Sequence, residues 1–290
     1  VWRSPDGVSW ERVESSDDAF AFGEAQMQDV AVGGPGLVAV GSDLGIGQAA
    51  VWTSDDGSNW SRAPANPEVF GTQLPDDQPW VQMWSVAGDE DGRVVAVGFD
   101  GFIGVAAAWV SPDGRSWVRA AHYDAVFGDG SRSHDLKGVT AGGPGFVAVG
   151  TVTLGQGHDL FIQLALAEHG RSRAIVLTSQ DGLVWRRVPS EQLPGGGENV
   201  VLNAVTTAGP GLVAVGWRRE QPDVPDGDTN PVVWTSPDGI QWTEAADPEG
   251  LLIQPGGQLI DDIVAGGPGL VTIGQDGDAT GYNIAVWTSP

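Results

Sequence analysis

Short runs of unbroken apolar residues recur along this chain, each opened by a turn and closed by a glycine. One of them, Gly142 to Gly150, reads GGPGFVAVG. Gly34 to Gly41, Asp91 to Gly98, Gly209 to Gly216 and Gly267 to Gly274 repeat its pattern, and the closing glycines lie 57, 52, 66 and 58 residues apart. A strand with one wet face alternates apolar and polar residues. These runs do not alternate, so they predict strands buried on both faces, each in a sheet sandwiched between neighbouring sheets. The small residues Ala39, Ala96, Ala148 and Ala214 would let those sheets approach closely.

A second piece, Ser-x-Asp-Gly-x-x-Trp, occurs at Ser4 to Trp10, Ser54 to Trp60, Ser111 to Trp117, Ser179 to Trp185 and Ser236 to Trp242. Repeats of this length belong to propellers and arrays. Each unit reads as four strands, A to D. In the unit around Gly150, Leu136 to Ala141 is A, Phe146 to Val149 is B, Ala174 to Thr178 is C and Val184 to Val188 is D. Asp6, Asp56, Asp113, Asp181 and Asp238 are expected to accept backbone N–H groups in the C–D turn. Trp10, Trp60, Trp117, Trp185 and Trp242 are expected to fold back and seal the hairpin. Strand C supplies Trp2, Trp52, Trp109, Trp234 and Trp287, so the tryptophans read as packing residues rather than a ligand platform.

The expected fold is therefore an all-β propeller of about five four-stranded blades, in one domain over residues 1–290. Full units lie near 27–64, 83–120, 136–189 and 202–245, with a split unit formed by 260–290 and 1–13. In that split unit strand D is missing, and Val8 to Val13 at the N-terminus is of the missing type; pairing them would close the ring. Strand C occurs at both ends, which leaves one surplus. A six- or seven-bladed ring of which this is a fragment is the alternative. Long B–C inserts are expected at Thr151 to Arg173 and Trp217 to Asn230.

Charge narrows the function classes. The chain of 290 residues carries 38 acidic and 14 basic residues, a net charge of −24, with Lys137 as its one lysine. Such a surface repels nucleic acid and anionic membranes. Without cysteine there is no disulfide or thiol chemistry. No signal peptide or membrane span is visible. The four histidines lack zinc-ligand spacing, and no cofactor is expected; Asp129, Gly130 and Asp135 are the candidate calcium ligands, although no calcium-loop pattern is met.

The Ser-x-Asp-Gly-x-x-Trp turns resemble the Asp-box, or BNR, repeats of sialidase-like propellers, over the whole chain. The usual box has one more residue between Asp and Gly, and Ser4-Pro5-Asp6-Gly7-Val8-Ser9-Trp10 lacks it. The resemblance implies that the boxes are structural and lie away from any active centre. It also implies a catalytic set of an arginine cluster, a tyrosine nucleophile with a Glu partner and an acid/base Asp. Tyr123 and Tyr282 are the only tyrosines, and no residues match that set, so its chemistry is not carried over. Arg12, Arg62, Arg119 and Arg187 follow the box tryptophans by two positions and read as solvated edge groups.

What remains is an acidic rim of Asp29, Asp76, Asp77, Asp129, Asp135 and Asp262, with Arg218 and Arg219 in an insert. Three functions are open. The main reading is a non-catalytic binding or scaffold propeller of a bacterial exported or cell-envelope protein, monomeric, with a protein or glycan partner. A cytoplasmic location is the alternative. A glycoside hydrolase using rim carboxylates is the second reading. An assembly factor that binds a protein through the two inserts is the third.

Overall fold

The computed structural model describes the chain except residues 14–23, 35, 75–79, 102–103, 129–131, 154–171, 210, 221–228, 248–249, 251, 253–256, 267–268, 279–280 and 290. Asp76, Asp77, Asp129, Gly130, Arg171 and most of the insert expected at 151–173 lie outside the described residues. The chain divides into two compact units, Val1–Phe102 with Ala108–Arg119, and Ile103–Ala107 with Ala120–Pro290.

The first unit begins with a hairpin of β1 (Trp2–Arg3) and β2 (Glu11–Arg12). Blade 1 follows as β3 (Ala25–Gly33), β4 (Gly36–Asp43), β5 (Gln48–Ser54) and β6 (Ser61–Arg62), leading to the short helix α1 (Pro67–Phe70). Blade 2 is β7 (Val81–Gly88), β8 (Val94–Asp100), β9 (Val105–Ser111) and β10 (Val118–Arg119), the first residues of β9 being counted with the second unit.

In the second unit, α2 (Asp124–Phe127) leads into blade 3, made of β11 (His134–Gly142), β12 (Gly145–Thr153), β13 (Ser172–Ser179) and β14 (Trp185–Arg187). Blade 4 is β15 (Val200–Ala208), β16 (Gly211–Arg219), β17 (Thr229–Ser236) and β18 (Thr243–Glu244). Blade 5 has β19 (Gln258–Gly266), β20 (Gly269–Asp278) and β21 (Gly281–Ser289). All pairings are antiparallel between neighbours in sequence, so the fold class is an all-β, five-bladed β-propeller.

Within the D strand expected at Val8 to Val13, β2 pairs with β1, and β19, β20 and β21 form a three-stranded sheet. The Ser4 to Trp10 turn already joins a C strand to a D strand locally, so the nearest partner takes the D strand. Strand B is buried on both faces in blades 1 to 4, as its unbroken apolar run requires. In blade 5 one face is open, with Val264, Ile273, Ile284 and Val286 exposed.

Strand A carries the same irregularity in every blade. A β-bulge lies between Met27 and Asp29, Met83 and Ser85, Leu136 and Gly138, Leu202 and Ala204, and Ile260 and Asp262. The extra residue kinks the strand. In the first unit Asp29 Oδ2 accepts from Val86 N of the next blade at 2.8 Å. In the second, Asn203 Nδ2 donates to Ile260 O at 2.9 Å. Side chains of Val149, Val176, Leu202, Ala214 and Trp234 close the seam between blades 3 and 4.

The C–D turn is rebuilt five times around one aspartate, whose Oδ1 accepts two backbone N–H groups. Asp181 Oδ1 accepts from Leu183 N and Val184 N, both at 2.9 Å, while Ser179 Oγ accepts from Gly182 N at 2.9 Å. Trp185 Nε1 then donates to Gly182 O at 2.9 Å, which ties the ring to the turn. Gly182 has φ +77°, a region that Cβ disfavours. These bonds favour the charged carboxylate, and Asp6, Asp56 and Asp113 are held at a pKa of about 2 by backbone N–H groups above all. Asp181 and Asp238 are lowered for the same reason.

A carboxyl whose folded pKa is depressed contributes stability above its unfolded value, and the contribution vanishes as pH falls towards 2. Asp261 and Asp262 act oppositely, since partial burial raises both. Self-repulsion at a net charge of −24 also eases on acidification. The thermal midpoint is therefore expected to peak in mild acid, near pH 5, and to fall steeply between pH 4 and 2, where the box aspartates protonate. A scan of thermal unfolding against pH checks this; a midpoint that stays level down to pH 2 would contradict the role given to the boxes.

Candidate functional site

The site emerges from comparing blades at two positions. The first is two residues past the closing glycine of strand B: Asp43, Asp100, Val152, Arg218 and Asp276. The second is two residues past the box tryptophan in strand D: Arg62, Arg119, Arg187 and Glu244. In blade 1 these positions meet as an ion pair, Arg62 Nη2 to Asp43 Oδ2 at 2.6 Å. Blade 2 repeats it with Arg119 Nη2 to Asp100 Oδ2 at 2.6 Å. Each guanidinium also lies over a strand-C tryptophan, Arg62 at 5.7 Å from the Trp52 ring and Arg119 at 5.2 Å from Trp109. Blade 4 keeps the pair with its charges exchanged, Arg218 donating to both carboxylate oxygens of Glu244 at 3.0 and 2.7 Å.

The reading of Arg62 and Arg119 as solvated edge groups is thereby corrected. Two positions past the tryptophan, the side chain points to the sheet face that carries the strand-C ring and reaches back to strand B. Both guanidinium groups are mostly buried, and Asp100 is wholly so. Arg12 is exposed.

Blade 3 breaks the pattern. Val152 stands where the aspartate should be, and Leu177 pairs with Ala148 where other blades place a tryptophan opposite the strand-B residue. Arg187 consequently has no carboxylate partner among the described residues. It opens instead onto a cavity of about 620 Å³ within the second unit. The walls come from α2 (Asp124, Ala125), Arg132 before β11, His134 of β11, Val152 of β12, Arg173 and Ala174 of β13, Arg187 of β14, and Val188 to Ser190 with Leu193 beyond it.

Electrostatics in this cavity differ from the rest of the surface. Arg132, Arg173 and Arg187 face one aspartate, Asp124, in the lining. Arg173 is held by Glu198, which it contacts through Nη2. Burial, and then the neighbouring Arg173 charge, lower the proton affinity of Arg187. His134 is buried and its Nδ1 donates to Arg132 O at 3.0 Å, which anchors the loop that carries Arg132. Asp124 Oδ1 lies 3.2 Å from His122 Nε2.

The residues singled out in the sequence are placed otherwise. Asp29 accepts from Val30 N at 2.7 Å as well as from Val86 N, so it joins two blades. Asp135 pairs with Lys137 at 2.8 Å. Asp262 accepts from Ile263 N at 2.8 Å beside Asp261 on the last blade. Arg219 is buried, its guanidinium 5.8 Å from the Trp217 ring. Tyr123 is exposed just before α2. Among the described residues no group of three or more acidic or histidine side chains is placed to hold a metal ion. No helix among them is long and apolar enough to cross a membrane. Arg132 and the pairing of Arg173 with Arg187 escaped sequence reasoning. The missing aspartate at position 152 was the signal that could have exposed them.

Neither a family model nor a curated protein matches this chain in sequence. Solved structures resemble it in fold. A sialidase from Trypanosoma rangeli is 12% identical with a TM-score of 0.50, over 90% of this chain and 46% of its own length. Zg3597, a family 117 glycoside hydrolase of Zobellia galactanivorans, is 9% identical with a TM-score of 0.45, over 95% of this chain and 87% of its own. A glycosyl hydrolase from Bacteroides ovatus is 12% identical with a TM-score of 0.43, over 89% and 82%. The five-bladed propeller fold of this chain thus resembles the fold of that sialidase over part of its length.

Proposed function

We propose that this chain is a non-catalytic ligand-binding propeller of the Asp-box type, part of a bacterial exported or cell-envelope protein, with its binding site in blade 3. One observation carries the reading: of the four blades that carry a strand D, blade 3 alone lacks the ion pair among the described residues, and a cavity of about 620 Å³ lies where the pair would have been. That volume lies within the range of small-molecule sites, about 300–1,000 Å³. The box aspartates support the non-catalytic half, because their carboxylates are spent on turn N–H groups.

A second reading, glycoside hydrolysis, is favoured by Asp261 and Asp262. Partial burial raises both carboxyls, as a general acid requires. A screen of the whole chain against a saccharide library, read by thermal shift and by release of reducing sugar, separates the two. Binding without turnover, lost when Ser190→Trp fills the cavity mouth, is the expected result. Turnover abolished by Asp262→Asn would replace it with the second reading.

A further inference from the structure

We infer that the blade 3 cavity is an anion site in which Arg187, with Arg173 and Arg132, takes the carboxylate, sulfate or phosphate group of a small molecule where blades 1 and 2 place Asp43 and Asp100. The inference rests on the proposal that this cavity is the binding site, and adds the chemical class of its ligand.

Three observations converge on it. First, the repeat itself shows what an arginine at this position binds. Arg62 and Arg119 each hold a carboxylate oxygen at 2.6 Å, and blade 4 keeps a carboxylate–guanidinium pair even with its charges exchanged. Blade 3 retains the arginine but replaces its carboxylate with Val152, whose side chain accepts no hydrogen bond. An external anion restores the missing half of the pair.

Second, Arg187 is not alone. Arg173 lies close enough for its charge to bear on Arg187, and Arg132 borders the same space. Partly buried guanidinium groups that repel one another are stabilised by an anion between them. Their planar forks suit the paired oxygens of a carboxylate or phosphate. Glu198 fixes Arg173, so one side of the site is already positioned.

Third, the net charge of −24 does not forbid it. Screening at physiological salt limits the reach of exposed acids to about 8 Å, so the arginines in the lining decide the local potential. Long-range repulsion slows the approach of an anion more than it weakens the short-range contacts of a seated one.

The test uses titration calorimetry on the whole chain with glucuronate, glucose 6-phosphate, inorganic sulfate and neutral glucose. At least one anion is expected to bind with an affinity that weakens as salt rises. Arg187→Gln and Val152→Asp are each expected to weaken it roughly tenfold or more, the value of a lost charged hydrogen bond. Val152→Asp supplies the carboxylate of blades 1 and 2, so it should close the site while leaving the thermal midpoint unchanged or higher. Anion binding unaffected by both variants overturns the inference. So does binding of glucose alone that survives Arg187→Gln but is lost in Ser190→Trp, a result that leaves the cavity proposal standing. If no compound binds, both fall. Glucuronate against glucose 6-phosphate separates a carboxylate ligand from a phosphate one.

Discussion

Arg119→Met is expected to destabilise the chain by about 3–5 kcal/mol, the cost of leaving one partner of a buried ion pair behind. Asp100 is fully buried, and its Oδ2 accepts from Arg119 Nη2 at 2.6 Å and from Gln73 N at 2.8 Å. Methionine fills much of the arginine volume over Trp109 but supplies no positive charge. The carboxylate would then be buried with the Gln73 N–H as its one remaining donor among the described residues. Arg119 Nη1 also donates to Gly71 O at 3.0 Å, so the segment after α1 loses an anchor. Denaturant unfolding measures the effect. The double variant Arg119→Met with Asp100→Leu should recover most of the loss, because the buried charge goes with its partner. Arg187→Gln makes the contrast in blade 3: with no carboxylate partner among the described residues, it should cost less than about 1 kcal/mol. Equal losses for Arg119→Met and Arg187→Gln would refute the contrast between the blades.

Gly150→Ala is expected to cost about 3 kcal/mol, at the upper end for overpacking. A Cβ on Gly150 would sit 1.9 Å from Asp135 O, a backbone atom of the paired strand that cannot rotate away. The repeat obeys this constraint at every copy. The corresponding distances are 1.8 Å at Gly41, 1.9 Å at Gly98 and Gly216, and 2.0 Å at Gly274. All five glycines pair with the residue that opens the strand-A bulge. Gly266→Ala is the control, since a Cβ there meets nothing within 4 Å and its backbone is not left-handed. Thermal unfolding of the two variants side by side should show a large drop for the first and a change within about 0.5 kcal/mol for the second.

Much of this molecule was legible in the order of its residues. Apolar runs without alternation marked strand B, and the Asp-Gly turn with its tryptophan marked the C–D hairpin, because both signals are local and repeated. Turn chemistry needs only a few consecutive residues, so Asp181, Gly182 and Trp185 announced their bonds without help from the rest of the chain. The strand-A bulge was not legible. It involves a register shift against strand B, and the closing glycine shows its purpose only when the two strands are laid side by side.

The site divides along the same line. That Asp43 and Asp100 have become Val152 in blade 3 is written in the repeats, and that Arg187 remains beside it is written there too. What only the tertiary structure decided is that residues 19 positions apart in blades 1 and 2 form a buried pair. It also decided that the same place in blade 3, with Arg132 and Arg173 brought from other strands' ends, is a cavity. The physical reason is that turns and strands follow from neighbours in sequence. A guanidinium's partner depends instead on which side chains the folded sheet brings within about 3 Å of it, and no spacing rule along the chain encodes that.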